Sequence, residues 1–267
     1  MSRPHFAGRR AGVRAPQSSI SLVVVTQRES EHTNELDQPI GRPLPGWETC
    51  PPPPRTPIVG RLCRVEPLSA AAHAAALHEA YTEDRDGSGW TYLPYGPFES
   101  ADAYAEWVQR AEVQTDTIFY AIVDAASERT VGVASYLRIA PDMGSIEVGH
   151  LRYAPALQQT AASTEAMFLM MRRAFDELGY RRYEWKCDSL NAPSRAAALR
   201  LGFQYEGLFR DAVVYKGRNR DNAWFSIVAD EWPALRTAFE RWLDPANFGA
   251  DGSQQKRLAE CIAEAQA

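Results

Sequence analysis

No run of apolar residues in this sequence is long enough to cross a bilayer. The one near the N-terminus, SISLVVVT at residues 19–26, falls far short of the roughly 20 residues a membrane helix needs. Arginines precede it but no small-residue cleavage pattern follows, so export is not expected. Cysteine is scarce as well. Cys50, Cys63, Cys187 and Cys261 lie 13, 124 and 74 positions apart, which matches no zinc or dithiol redox spacing. Free thiols in a cytoplasmic, reducing setting are the expectation, with no metal and no membrane partner. An excess of one charge sign is also missing. The formal net charge of −5 argues against a general nucleic-acid binder, which presents a basic face to phosphates. No internal repeat is visible, and low complexity is confined to the proline run at residues 51–54.

What the chain does have is a change of character near residue 60. Residues 1–58 contain RPLPGWETCPPPPRTP, where consecutive prolines forbid helix and ladder pairing and favour an extended segment. They read as a Pro-rich N-terminal extension, partly disordered or wrapping the domain through Trp47. Residues 59–244 alternate strand-like and helix-like periods with short connections and read as one domain. Residues 245–267 read as a polar, fraying C-terminal tail.

Within the domain, GRLCRVEPL alternates as a strand does, and SAAAHAAALHEAY follows as an alanine-rich helix capped by Ser69. An aromatic loop with Trp90, Tyr92, Tyr95 and Phe98 leads to a second helix, ESADAYAEWVQRAE. TIFYAIVD, TVGVASYLRIA and SIEVGHLRYA then read as an antiparallel meander. A long helix follows, with Met167, Met170, Met171, Ala174 and Leu178 along one face and Gly179 at its C-terminal cap. After it come the strand RRYEWKCDS, the helix opened by NAPSRAAALRLGF, two arms of a hairpin turning at KGRNRD, and the amphipathic helix DEWPALRTAFERWL. Local pairing followed by a strand-helix-strand crossover implies an α+β fold: a mixed, mostly antiparallel twisted sheet of about six to seven strands flanked by helices on both faces.

The loop entering the long helix, YAPALQQTAASTE at residues 153–165, leaves a strand and opens a helix. Such a junction offers unpaired backbone N–H groups and the positive end of the helix dipole, which suits a diphosphate. It contains no glycine. Any strand-helix junction shares these features, so the loop alone does not decide the matter.

The order of elements, with QQTAASTEAM, NAPSRAAALRLGFQYEG and the terminal hairpin, resembles the GCN5-related N-acetyltransferases, in particular the Rim-type branch that acetylates ribosomal-protein N-termini. The resemblance covers roughly residues 61–243. It implies acetyl-CoA as co-substrate and a loop whose amides hold the pyrophosphate of coenzyme A. Residues Gln158, Gln159, Thr160, Ala161, Ala162, Ser163 and Thr164 occupy that loop, with Asn191 and Ser194 as further cofactor contacts. Thr160 and Ala162 stand where the family places glycines, which removes easy access to positive φ but keeps the N–H donors. The Thr160 hydroxyl could serve the phosphate or cap the helix. Many relatives carry a tyrosine acid seven residues after the asparagine; here that position is Ala198, and Ser194 is the local substitute, or simply a first-turn helix residue.

An attacking amine must be neutral, so its proton needs a route. Glu147 and His150 are the candidate bases, the former alternatively an anchor for the amine. Strand alternation puts them on opposite faces unless a bulge intervenes, which is common at this strand in the family. The resemblance sets Trp90, Tyr92, Tyr95, Arg152, Tyr215 and Arg220 around the acceptor, although the aromatic loop could equally be a packed lid and the tip with Lys216, Arg218 and Arg220 merely solvated. Cys187 reads as a buried thiol rather than an acyl-enzyme nucleophile. The expected activity is acetyl transfer to a primary amine by direct attack in a ternary complex, the acceptor being a peptide N-terminus or a small amine such as an aminoacyl nucleotide. A non-catalytic acyl-CoA sensor is the alternative, and a homodimer is possible.

Overall fold

The computed structural model describes residues 32–267, so the apolar stretch at residues 19–26 lies outside the described residues. They fall into two compact units. The first ends at Pro45 and holds a hairpin of β1 (His32–Thr33) and β2 (Pro39–Ile40). Its turn is closed by the Asn34 side chain, which accepts from the N–H groups of Leu36 and Gln38 at 2.9 and 3.0 Å.

The second unit runs Gly46–Ala267. Its elements are β3 (Ile58–Val59), β4 (Cys63–Pro67), α1 (Ala70–Tyr81), α2 (Ala101–Glu112), β5 (Ile118–Asp124), β6 (Thr130–Ala140), β7 (Ser145–Tyr153), α3 (Ala161–Arg172), β8 (Arg182–Asp188), α4 (Ala192–Arg200), β9 (Gln204–Tyr215), β10 (Arg218–Val228), α5 (Trp232–Leu243) and α6 (Leu258–Gln266). The strands form one sheet of eight, ordered β3-β4-β5-β6-β7-β8-β10-β9. Every neighbouring pair is antiparallel except β7 and β8, which α3 joins as a crossover. The eighth strand is β3, a two-residue edge contributed by the end of the proline segment.

Alternation along β5 shows that helices cover both faces. Phe119 packs edge-on against Trp107 of α2, with ring centroids 5.6 Å apart. The next residue, Tyr120, turns to the other side and meets Tyr136, whose hydroxyl donates to the Met170 carbonyl of α3 at 2.6 Å. The two faces are called below the α2 face and the α3 face.

Helix α3 is buried all round, not only along its methionine stripe. The reason is α5, which covers the outer side of α3 through Phe168 against Phe239 and Trp232, at 5.4 and 6.1 Å between ring centroids. The proline segment is held by the Tyr120 hydroxyl, which donates to Pro54 O at 3.0 Å, and by Arg173, whose guanidinium donates to Thr56 O and Pro57 O at 2.7 and 3.0 Å.

The polar tail expected after residue 244 is in part ordered structure. Helix α6 buries Leu258 and Cys261 against the body of the unit, and Phe248 packs edge-on against Trp242 at 5.3 Å. Ile262 and Ala265 pack beside them, half-buried, and the polar residues 249–257 that precede the helix hide this apolar face in the sequence. No described helix is long and apolar enough to cross a membrane.

Candidate active site

The parallel pairing of β7 and β8 stops early. Residues 145–148 face residues 182–185, yet β7 continues to Tyr153 and β8 to Asp188. Past Val148 and Trp185 the strands part, and their facing backbone groups have no ladder partner. A cleft of about 2370 Å³ runs through this opening, lined on one side by the α3 loop and α4, on the other by the aromatic loop and the β9–β10 hairpin.

The loop expected to hold the cofactor lies on the α3 face. Thr160 caps α3 with extended backbone angles (φ −97°, ψ 165°), and its hydroxyl accepts from Ser163 N at 3.1 Å while donating to Leu157 O at 2.8 Å. That hydroxyl is a helix cap, fully used. Ser163 and Thr164 hydroxyls donate back to Thr160 O at 2.8 and 3.4 Å, and the Gln158 amide donates to Tyr153 O at 3.0 Å. Side chains here shape the loop and leave the first-turn N–H groups of Ala161 and Ala162 for an anion. The positive φ that glycine would supply is taken by Gln159, at +59°. The loop therefore does reach the left-handed region, one residue before the position expected from the missing glycines. Gln158, Gln159, Thr160, Ala161, Ser163 and Thr164 line the cleft; the Ala162 side chain is buried and does not.

Two residues near this end were not singled out from sequence. Arg200, in the last turn of α4, donates to Thr164 Oγ1 at 3.0 Å and lies over the Trp242 ring at 5.1 Å. Burial lowers its pKa below the ordinary guanidinium value. Glu165 is 5% exposed, and its carboxylate accepts the backbone N–H groups of Arg61, Leu62 and Cys63 at 3.1, 2.6 and 2.9 Å. It ties the start of α3 to the turn before β4. A glutamate in an alanine-rich helix start gives no sequence sign of such a long-range clamp, whereas an arginine nine residues after the Asn191 cap stands out by its charge.

Asn191 caps α4 by accepting from Ser194 N at 3.1 Å, and the Ser194 hydroxyl accepts from Trp185 Nε1 at 3.0 Å. Both residues line the cleft. Ala198, at the position of the relatives' tyrosine, is fully buried and does not reach it. Cys187 lines the opening but is 5% exposed, and burial pushes its thiol up, away from the reactive thiolate.

On the α2 face, where the acceptor residues are expected, the cleft is shaped by a bulge. Two steps on β6, from Val133 to Ser135, oppose three on β7, from Arg152 to Gly149, with His150 at φ +51°. The extra residue turns His150 onto the side that Glu147 already occupies. His150 packs on Phe119 at 4.9 Å and stacks with Tyr95 at 5.6 Å, its Nδ1 3.1 Å from the Tyr95 hydroxyl. Burial, with the nearby charges of Arg138 and Arg220, pushes its pKa down to about 4, so the ring is neutral at physiological pH. Glu147 is 3% exposed and bridges Arg138 and Lys186 at 2.7 and 2.9 Å. Burial raises its pKa above the ordinary carboxylate value, against the opposing pull of Lys186 and Arg138. Lys186 also reaches Glu184 at 2.7 Å and sits 3.5 Å from the centroid of the Trp224 ring.

The six residues expected around the acceptor divide. Tyr92, Arg152, Tyr215 and Arg220 line the cleft. Trp90 and Tyr95 do not: Trp90 is buried beneath the loop, edge-on to Tyr81 and Phe98 at 5.3 and 5.4 Å, and Tyr95 stacks on His150. Arg152 is 2% exposed, locked to Asp84 at 2.6 Å and lodged between Tyr81 and Trp90, so its charge is already satisfied. The hairpin tip is a contact and not only a solvated turn. Lys216 Nζ donates to Trp90 O at 2.8 Å, and the Tyr215 hydroxyl donates to Asp188 Oδ2 at 2.9 Å. Burial and the Asp188 carboxylate push Tyr215 up to about 12.

Comparison with known proteins agrees with this architecture. The acetyltransferase (GNAT) domain matches residues 63–204. A GCN5-related N-acetyltransferase from Brucella melitensis is 42% identical with a TM-score of 0.81, the match covering 82% of this chain and 100% of that one. A probable acetyltransferase (GNAT family) from Chromobacterium violaceum is 43% identical with a TM-score of 0.69, over 73% and 98% of the two chains. An uncharacterized N-acetyltransferase, p20, of Bacillus licheniformis is 26% identical over 144 residues, 53% of this chain and 80% of that protein. With a domain match over more than half its length and a close structural relative spanned end to end, the chain belongs to the GNAT acetyltransferases.

Proposed function

We propose that the enzyme moves the acetyl group of acetyl-CoA onto a primary amine by direct attack, both substrates being bound at once. The observation that carries this is the parting of β7 from β8, with anion-binding N–H groups on the α3 face and Glu147 with His150 on the α2 face. A thioester entering from one face and an amine from the other meet in the opening, so no covalent enzyme intermediate is needed. The residues present suit the cofactor: the N–H groups at the start of α3 and Arg200 would hold its phosphates, and bound acetyl-CoA supplies the activated acyl group.

In the transfer, the nitrogen lone pair forms the C–N bond as the C–S bond breaks and the sulfur leaves with its electron pair as thiolate. The surplus proton on nitrogen passes to Glu147, whose desolvated carboxylate is a stronger base than one in water. His150, held neutral, accepts a hydrogen bond from the amine and orients it. Ser194, which accepts from Trp185 Nε1 and also hydrogen-bonds Cys187, would turn its hydroxyl proton from that thiol into the cleft it lines to serve the leaving sulfur.

The acceptor is a small amine in preference to a protein N-terminus. The Lys216–Trp90 and Tyr215–Asp188 bonds, with Tyr92 donating to Leu190 O at 3.1 Å, close the aromatic loop onto the hairpin and the end of β8. A peptide chain would need a groove leading away from this wall. Thiol release with acetyl-CoA against amino acids, their amides and N-terminal peptides tests the choice; faster turnover of peptides than of every small amine would overturn it.

A further inference from the structure

The cations along the cleft fall into two groups. Lys186, Arg138 and Arg152 each have a carboxylate within ion-pair distance. Arg200 has none among the described residues, and it stands where the cofactor phosphates are proposed to bind. Arg61 and Arg85, both exposed, also line the cleft without a carboxylate partner among the described residues; Arg220 is the half-buried counterpart on the acceptor side. Its Nε donates to Asn222 Oδ1 at 2.7 Å, its guanidinium lies 5.5 Å from the centroid of the Tyr215 ring, and no carboxylate among the described residues reaches it. The carboxylate on the neighbouring strand, Asp188, is occupied instead by Leu190 N–H and the Tyr215 hydroxyl, both at 2.9 Å.

The face it occupies follows from register. Asn222 pairs with Asp188, and Trp224 with Lys186. Lys186 shares its face with Glu184, which pairs with Glu147. The pairing with β9 is irregular between Arg220 and Asn222, but the hydrogen bond to Asn222 and the closeness of the Arg220 charge to His150 set the guanidinium on the side of the sheet where Glu147 lies, opposite the α3 loop and Arg200. A half-buried guanidinium with its Nη donors uncommitted has given up hydration without an ion pair in return, which a bound anion would restore. Cofactor phosphates on the α3 face do not supply it.

We infer that Arg220 is an anion subsite of the acceptor pocket, so that the preferred acceptor is an amine carrying a carboxylate or a phosphoryl group close to its nitrogen. The inference rests on the transferase reading above. A neutral amine set against Glu147 and an anion set against Arg220 would fix such a molecule at both ends. An amine without the anion would leave the guanidinium unmatched.

The test compares kcat/KM for sets of three amines that share a side chain: the free α-amino acid, its carboxamide and the matching 1-aminoalkylphosphonate. The acid or the phosphonate should exceed the amide roughly 10- to 100-fold, the scale of a charge-assisted hydrogen-bonded pair. Which of the two leads tells a carboxylate from a phosphoryl acceptor. Arg220→Gln should collapse that ratio and Arg220→Lys should restore part of it, while the rise in melting temperature on adding acetyl-CoA shows that each variant is folded. Equal rates for acid, phosphonate and amide, or an Arg220→Gln variant that slows all three alike, overturn the subsite and leave the transferase reading intact. Binding of acetyl-CoA with no acetylation of any amine contradicts both.

Discussion

Glu147 and His150 lie three residues apart on one strand and face the same side of the sheet, because the bulge at His150 cancels the alternation between them. The strand thereby sets a desolvated carboxylate and a neutral imidazole beside one opening. Replacing Glu147 by Gln keeps the size and hydrogen-bonding shape but removes the proton acceptor. The expected result is a kcat lower by about 100-fold or more, with stabilisation by acetyl-CoA retained. Steady-state kinetics beside thermal unfolding check it, and a kcat near that of the parent would remove Glu147 from the proton route.

His150 makes stability depend on pH. Its pKa is depressed to about 4 in the folded protein, against about 6.5 in an unfolded chain. Between those values the unfolded state binds more protons, so stability is full above the unfolded value and is lost as pH falls toward the folded one. His150→Gln should therefore lose less melting temperature than the parent between pH 7 and pH 4.5. Parallel pH curves for the two proteins would show that the imidazole is not held neutral.

How much of this was legible in the chain differs from element to element. The meander, the crossover helix and the hairpin follow from periodicities that local sequence carries, and so does the site of the cofactor loop. The bulge at His150 is a register event between two strands; nothing in SIEVGH itself distinguishes it from regular pleating. Arg152 reads from sequence as an acceptor contact because its partners, Asp84 and the rings of Tyr81 and Trp90, are distant in the chain. Gln159 carries the positive φ because the cap at Thr160 fixes the next residue in an extended conformation, and that choice is made by the turn, not by side-chain type.

Gln159 tests the glycine-free loop directly. A left-handed conformation costs an ordinary L-residue about 1 kcal/mol or more, and a β-branched one more still. Gln159→Gly should leave stability unchanged or raise it and keep acetyl-CoA affinity, whereas Gln159→Val should lower both. Chemical denaturation with and without cofactor measures this. Equal stability of the two variants would mean that the positive φ is not required.

Arg200 should act on the cofactor alone. Arg200→Ala removes a cation that no carboxylate among the described residues neutralises, so KM for acetyl-CoA should rise by roughly tenfold or more, and the dependence of that KM on salt should weaken. The KM for the amine should move little. A variant that raises only the amine KM would transfer Arg200 to the acceptor end.

The most direct test of the central claim is the release of free thiol from acetyl-CoA, followed with and without amine in a rapid-mixing experiment. Direct transfer through the opening between β7 and β8 predicts no thiol burst in the absence of amine, and thiol released in step with N-acetylated product once amine is present. A burst of one thiol per enzyme without amine would mean an acyl-enzyme, with Cys187 as its nucleophile, and would contradict the account.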